Sequence, residues 1–181
     1  MRKLRNEELN RLSKEQYHDS EKNPIIVVLD NVRSLNNIGS IFRTADGFRI
    51  EKIILCGIST PPPHRDIYKT ALGAEESVCW EYFENTLDAV QMLRANGSFI
   101  AAVEQVEDSI SLEQFSPPTN SSLALIFGHE IKGVQQEVIN QCDTSIEIPQ
   151  YGTKHSFNIS VSTGIVLWEI FKKKHKRTFQ S

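Results

Sequence analysis

Three polar constellations, each set hard against an apolar run, are where this chain could do chemistry. The densest is Lys154, His155, Ser156, Asn158 and Ser160. It follows a β-branched run, Ile146 to Ile148, that stops at Pro149 and turns through Gly152. It precedes Val161, Ile165, Trp168 and Phe171, which recur at helical spacing, with Asn158 or Ser160 placed as the N-cap. A strand end, a hydrogen-bonding loop and a helix N-terminus therefore meet at one point, which can hold an anion or a polar ligand. The alternative is that Ser156, Asn158 and Ser160 only cap the helix. The second constellation is Gly128-His129-Glu130, a carboxylate directly after the apolar run Leu123 to Phe127. It is either a site residue or an acid complementing a helix dipole. The third is NIGSIFR, 37–43, in which Ser40, Arg43 and Gly47 share a helical face and Asn37 occupies the first turn. Arg43 reads as an anion clamp or as a surface ion-pair partner.

Other chemistries are excluded by what fails to follow. The strand ending VVLD has no G-x-G-x-x-G after it. Gly128 and Gly133 have P-loop spacing, yet GHEIKGV lacks the next Lys-Ser/Thr pair. A dinucleotide dehydrogenase, a P-loop NTPase and a glycine-rich methyltransferase are thereby disfavoured. The five histidines show no metal-ligand spacing, so no metal is expected. Cys56, Cys79 and Cys142 are odd in number and far apart in apolar contexts, which predicts reduced core thiols. The formal net charge is −3, but Lys172, Lys173, Lys174, Lys176 and Arg177 form a +5 tail. It reads equally as a solvated helix end favoured by the dipole or as a contact for a phosphate backbone.

These loops need elements to hold them. Strands are predicted at 25–29, 52–56, 78–83, 99–103, 123–127 and 146–148, with helices at 37–48, 66–74, 86–96, 134–141 and after Asn158. Such alternation gives an α/β domain, a largely parallel six-stranded sheet with helices on both faces. Ligands on such sheets bind outside the carboxyl ends of strands, so the loops starting at Asp30, Gly128 and Pro149 are the candidates. Residues 1–23 read as an N-terminal helical extension, helical over 6–17 with Leu9 and Leu12 inward; 24–175 is the main domain and 176–181 a basic tail. Trp168 and Phe171 share a helical stripe and serve either a partner subunit or the protomer's own core. Hydrophobic residues make up 39% and charged residues 24%, no apolar run could span a bilayer, and the N-terminus is charged throughout. A cytoplasmic protein without membrane contact is expected.

Taken in order, NNIGSIFRTADGF (36–48), LALIFGHEIKGV (123–134) and IEIPQYGTKHSFNISVSTGIVLWEIF (146–171) resemble the three motifs of the SpoU/TrmH class of SPOUT RNA methyltransferases. The resemblance implies a C-terminal trefoil knot, S-adenosylmethionine bound in a bent shape, a homodimer, and methyl transfer to a ribose 2′-hydroxyl of tRNA or rRNA. Carried over by motif, Asn37, Arg43, Glu130, Ser156 and Asn158 are the catalytic set, and Gly128, Ile148 and Phe157 contact the methyl donor. His129 stands where relatives more often have Asn or a small residue, and Phe157 where they have Leu, which changes pocket volume. A non-catalytic RNA-binding or dimerising module of the same fold is the alternative. Neutral arginine at pH 7 costs roughly 7 kcal/mol, at about 1.36 kcal/mol per pKa unit, so Arg43 is expected chiefly to clamp phosphate and only secondarily to act as a base.

Overall fold

Ile25 to Leu29 form an unbroken apolar run, so a strand made from them must be covered on both faces. In the computed structural model, which describes residues 1–175, this run lies within β1 (Asn23–Asp30), an interior strand of the sheet. The other strands are β2 (Ile50–Cys56), β3 (Trp80–Phe83), β4 (Phe99–Val103), β5 (Ile110–Ser111), β6 (Leu123–Gly128) and β7 (Thr144–Glu147). Their order is β3-β2-β1-β6-β4-β7-β5, and every pairing is parallel. The sheet thus has seven strands where six are predicted. The additional one, β5, pairs with β7 over only two residues, too short for any periodicity to mark it.

The helices are α1 (Lys14–Asp19), α2 (Leu35–Gly47), α3 (Arg65–Ala71), α4 (Thr86–Ala95), α5 (Gln136–Ile139) and α6 (Ile159–Lys174). Alternate β1 residues serve opposite layers. Ile25, Val27 and Leu29 pack with α2 and α6, while Ile26 and Val28 pack with α4 and α5. The predicted α2 face, Ile38, Ile41, Phe42 and Ala45, is fully buried. Gly39 lets α3 come close: a Cβ there would lie 2.1 Å from Thr70 Oγ1 and 2.3 Å from the Ile67 carbonyl. Thr70 in turn donates to the Asn36 carbonyl at 3.0 Å.

Several expectations are corrected. The N-terminal segment is a 3-10 turn (Asn6–Leu9) and then α1, because Ser13 starts a new helix with a capping box to Gln16. Leu9 and Leu12 are exposed, and Tyr17 is the residue that anchors the segment in the core. On α6 the buried stripe is Ile159, Thr163, Val166, Leu167 and Ile170, while Val161 and Trp168 stay half exposed at 50% and 52%. Cys56 is buried and Cys142 partly so, but Cys79 is exposed; all three are free. Burial pushes the Cys56 and Cys142 thiols up to about 12. Two lysines of the basic run are structural. Lys173 Nζ donates to the carbonyls of Leu112, Glu113 and Phe115, and Lys174 Nζ to that of Pro118. Lys176, Arg177 and the rest of the predicted tail lie outside the described residues.

Asp30, at the carboxyl end of β1, is fully buried. Its Oδ1 accepts from Thr86 Oγ1 (2.6 Å), Gln135 Nε2 (2.8 Å) and Asn31 Nδ2 (2.9 Å), and its Oδ2 from the Gln135 amide (2.9 Å). Asp30→Ala strands these donors and is expected to cost about 3 kcal/mol in urea unfolding, with Asp30→Asn costing less because one acceptor oxygen remains. Gly39→Ala is expected to cost roughly 1–3 kcal/mol in the same measurement, since backbone must move to admit the methyl group.

Candidate active site

Asp30 and Gly128 are register partners at the ends of β1 and β6, so the loops leaving these strands start side by side. The β6 loop closes at once. His129 and Gly133 exchange backbone hydrogen bonds (3.1 and 2.8 Å), and His129 Nδ1 accepts from the Ile131 amide at 3.0 Å. The reversal needs glycine at both ends. Gly133 has φ +68°, and a Cβ on Gly128 would lie 2.1 Å from the Gly133 carbonyl carbon and the Val134 nitrogen.

The turn aims Glu130 at the start of α2. Its Oε1 accepts from the Ser34 amide (2.9 Å) and Asn37 Nδ2 (3.3 Å), and its Oε2 from the Arg33 amide (3.2 Å). Burial alone would raise the Glu130 pKa. Hydrogen bonds from backbone amides, its own and those of Ser34 and Arg33, with the Asn37 side chain, outweigh it and hold the carboxyl below its ordinary range. Asn37 passes the contact on, since its Oδ1 accepts from Asn158 Nδ2 at 3.2 Å. Asn158 Oδ1 accepts from the Ser160 amide (2.9 Å) and hydroxyl (2.7 Å), capping α6. One chain of side-chain hydrogen bonds, Glu130 to Asn37 to Asn158, therefore joins all three polar constellations. The capping reading of Asn158 is correct, and its amide nitrogen still reaches the first turn of α2.

The remaining candidates divide. Gly128, Ser156 and Phe157 line a cleft of about 450 Å³ together with Glu130, His129 and Ile131. Ile148 lines a smaller adjoining one of about 80 Å³, which also takes in Ser156 and Phe157. Arg43 stands apart. It is exposed on α2, roughly 9 Å along the axis from Asn37 at about 1.5 Å per residue, and has no ion pair among the described residues. A cavity of about 610 Å³ is larger, but it lies at the opposite end of β1, beside Asn23, where Lys173 and Lys174 are already bonded to carbonyls.

Two residues of the site escape sequence reasoning. Ser34, whose Oγ accepts from the Asn37 amide at 3.3 Å, is the N-cap of α2 and puts its own N–H on Glu130. Glu104 lines both clefts. The signal for Glu104 was available: it is the first polar residue after the apolar run Phe99 to Val103, as Glu130 nearly is after its own. The clefts fit a nucleoside-type methyl donor in chemistry. They offer exposed apolar surface at Ile131 and Phe157, and a rim of backbone at Gly128 and Gly133, where the absence of side chains lets the loop close on itself. The larger cleft, about 450 Å³, has the volume of a small-molecule site. Among the described residues no cluster of His, Cys, Asp and Glu could hold a metal ion, and no helix is long and apolar enough to cross a membrane.

Residues 24–168 match the SpoU rRNA methylase family. A Staphylococcus aureus protein assigned to the TrmH family of tRNA/rRNA methyltransferases is 30% identical over 162 residues, 88% of this chain and 63% of that one. This chain therefore spans less than two thirds of that relative's length. Among solved structures, the A. aeolicus TrmH/SpoU tRNA modifying enzyme superposes with a TM-score of 0.78 at 25% identity, covering 91% of this chain and 82% of that one. The AdoMet-bound rRNA methyltransferase from Sinorhizobium meliloti gives 0.77 at 27%, covering 88% and 60%. With the family's residues spanning the sheet from β1 through most of α6, and the three loops among them, the chain belongs to the SpoU rRNA methylase family.

Proposed function

We propose that this protein is an S-adenosylmethionine-dependent methyltransferase acting on a ribose 2′-hydroxyl of tRNA or rRNA, working as a homodimer in the cytoplasm. The observation that carries the reading is the Glu130–Asn37–Asn158 chain, which locks a backbone-lined cleft against the start of α2. Membership of the family and the AdoMet-bound Sinorhizobium meliloti relative support the donor. The A. aeolicus relative and the Staphylococcus aureus one support RNA as the substrate. The C-terminal trefoil knot implied by the motifs is part of the same reading.

In this mechanism Gly128, Ile148 and Phe157 hold the methyl donor, largely through backbone and apolar contact. When bound, the donor supplies a methyl group on a positively charged sulfur. Ser156 and Asn158 would orient the ribose hydroxyl and hold its oxygen in line with the donor's methyl group. Asn37 positions Asn158. Glu130 keeps the loops closed by hydrogen bonding and takes no proton. Arg43, exposed and without an acidic partner, is available to an RNA phosphate as a bidentate clamp, and holding reactants in line is worth about 7–11 kcal/mol in favourable cases. The exposed α6 stripe with Val161 and Trp168, flanked by the Trp168–Phe48 ring contact at 6.3 Å, supports the homodimer.

Arg43→Lys is expected to lower kcat/KM for RNA by roughly tenfold or more while calorimetric affinity for S-adenosylmethionine stays unchanged; normal turnover in this variant would refute the clamp. Trp168→Glu should shift sedimentation at micromolar concentration from dimer to monomer, and a monomeric wild type would remove the dimer from the reading. The Glu130 carboxyl is lowered in the folded state, so its contribution is complete above the ordinary carboxylate range, about 4.3, and fades as pH falls below it through the folded value. Stability in urea unfolding should accordingly be flat from about pH 5 to 8 as far as Glu130 is concerned, and Glu130→Gln should lose less stability than wild type as pH falls below that window.

A further inference from the structure

Glu104, the first residue past β4, stands where the two clefts meet. Its Oε2 accepts from the Val134 amide (3.0 Å) and its Oε1 from the Gln105 amide (3.0 Å). The fit is close: a Cβ on Gly133 would lie 2.2 Å from Oε2. The side chain is thus fixed from both sides by backbone, yet no cation among the described residues pairs with it. A carboxylate has about four acceptor positions, so two neutral amides leave roughly half of its capacity open. Glu130, the other carboxylate of the larger cleft, differs in that its oxygens turn away toward Arg33, Ser34 and Asn37. Glu147 reaches only the smaller cleft.

A fixed, partly buried negative charge without a counter-charge favours a ligand that brings one, and because the amides already hold it in place it need not reorganise when that ligand arrives. We propose that Glu104 is a donor-binding residue whose carboxylate faces the sulfonium of S-adenosylmethionine, so that the pocket prefers the cationic donor to the neutral thioether product. The inference rests on the methyltransferase reading. It gives the pocket a means of releasing product: on methyl transfer the sulfur loses its charge, and the attraction to Glu104 goes with it.

The test is calorimetric titration of the full chain, as wild type, Glu104→Gln and Glu104→Asp, with S-adenosylmethionine, S-adenosylhomocysteine and sinefungin, in which a protonated amine replaces the sulfonium. Glu104→Gln keeps an acceptor for one amide and removes the charge. It should weaken the two cationic ligands about tenfold and the neutral product less than about threefold, the size expected for one screened charge contact. Glu104→Asp, with the charge retained, should keep the preference. Equal losses for all three ligands in Glu104→Gln, or no loss for any, would overturn the role of Glu104 while leaving the methyltransferase reading in place. A wild type that binds none of the three would overturn both.

Discussion

The architecture depends on a repeated electrostatic device: carboxylates at the carboxyl ends of parallel strands that bind backbone N–H groups of a neighbouring loop in place of cations. Asp30 at the end of β1 takes the amide of Gln135, Glu104 after β4 takes that of Val134, and Glu130 after β6 takes those of Arg33 and Ser34. The loop from Gly128 to Gln135 is therefore held at three points, and it holds α2 in return. Ion pairs between long side chains would leave rotamer freedom in such a loop. Carboxylate-to-amide bonds fix the backbone itself, which is what a cleft lined by backbone requires.

Much of this plan can be read in the amino acids, and the parts that cannot have physical reasons. The apolar runs that become β1, β4 and β6 and the spaced apolar face of α2 are strong periodic signals, and they placed Asn37, Glu130 and Asn158 at one edge. β5 is two residues long and is defined only by its partner, so no local pattern could show it. Which face of α6 enters the core stays open in the sequence, because its 16 residues carry apolar side chains on two sides. Only the fold decides which is covered, and it covers Ile159, Thr163, Val166, Leu167 and Ile170. Leu9 and Leu12 misled in a similar way, since a capping box at Ser13 divides what looks like one helix. Glu104 carries a local signal, as the first polar residue after an apolar run, but the partners that give it and Ser34 their roles, Val134 and Glu130, are distant in sequence.

The site separates two tasks along α2. Its first turn, with Ser34 and Asn37, belongs to the closed hydrogen-bond chain, while Arg43 lies farther down on solvent-facing surface. A long surface cation gains from exposure, and a group that must keep loops in register gains from burial. The depressed pKa of Glu130 belongs with the second task, since a carboxylate held in its charged form by amides is a poor proton acceptor.

Helix α6 is tethered at both extremities. At its start Asn158 reaches across to Asn37, and at its finish Lys173 grips the 112–115 stretch while His175 Nε2 meets Asn23 Oδ1 at 2.7 Å. A rod of 16 residues, about 24 Å long, cannot slide or rotate about its axis without loosening both moorings at once. The cleft beside Asn158 is therefore tied mechanically to the far rim of the sheet, so that an alteration beside Asn23 would be felt there.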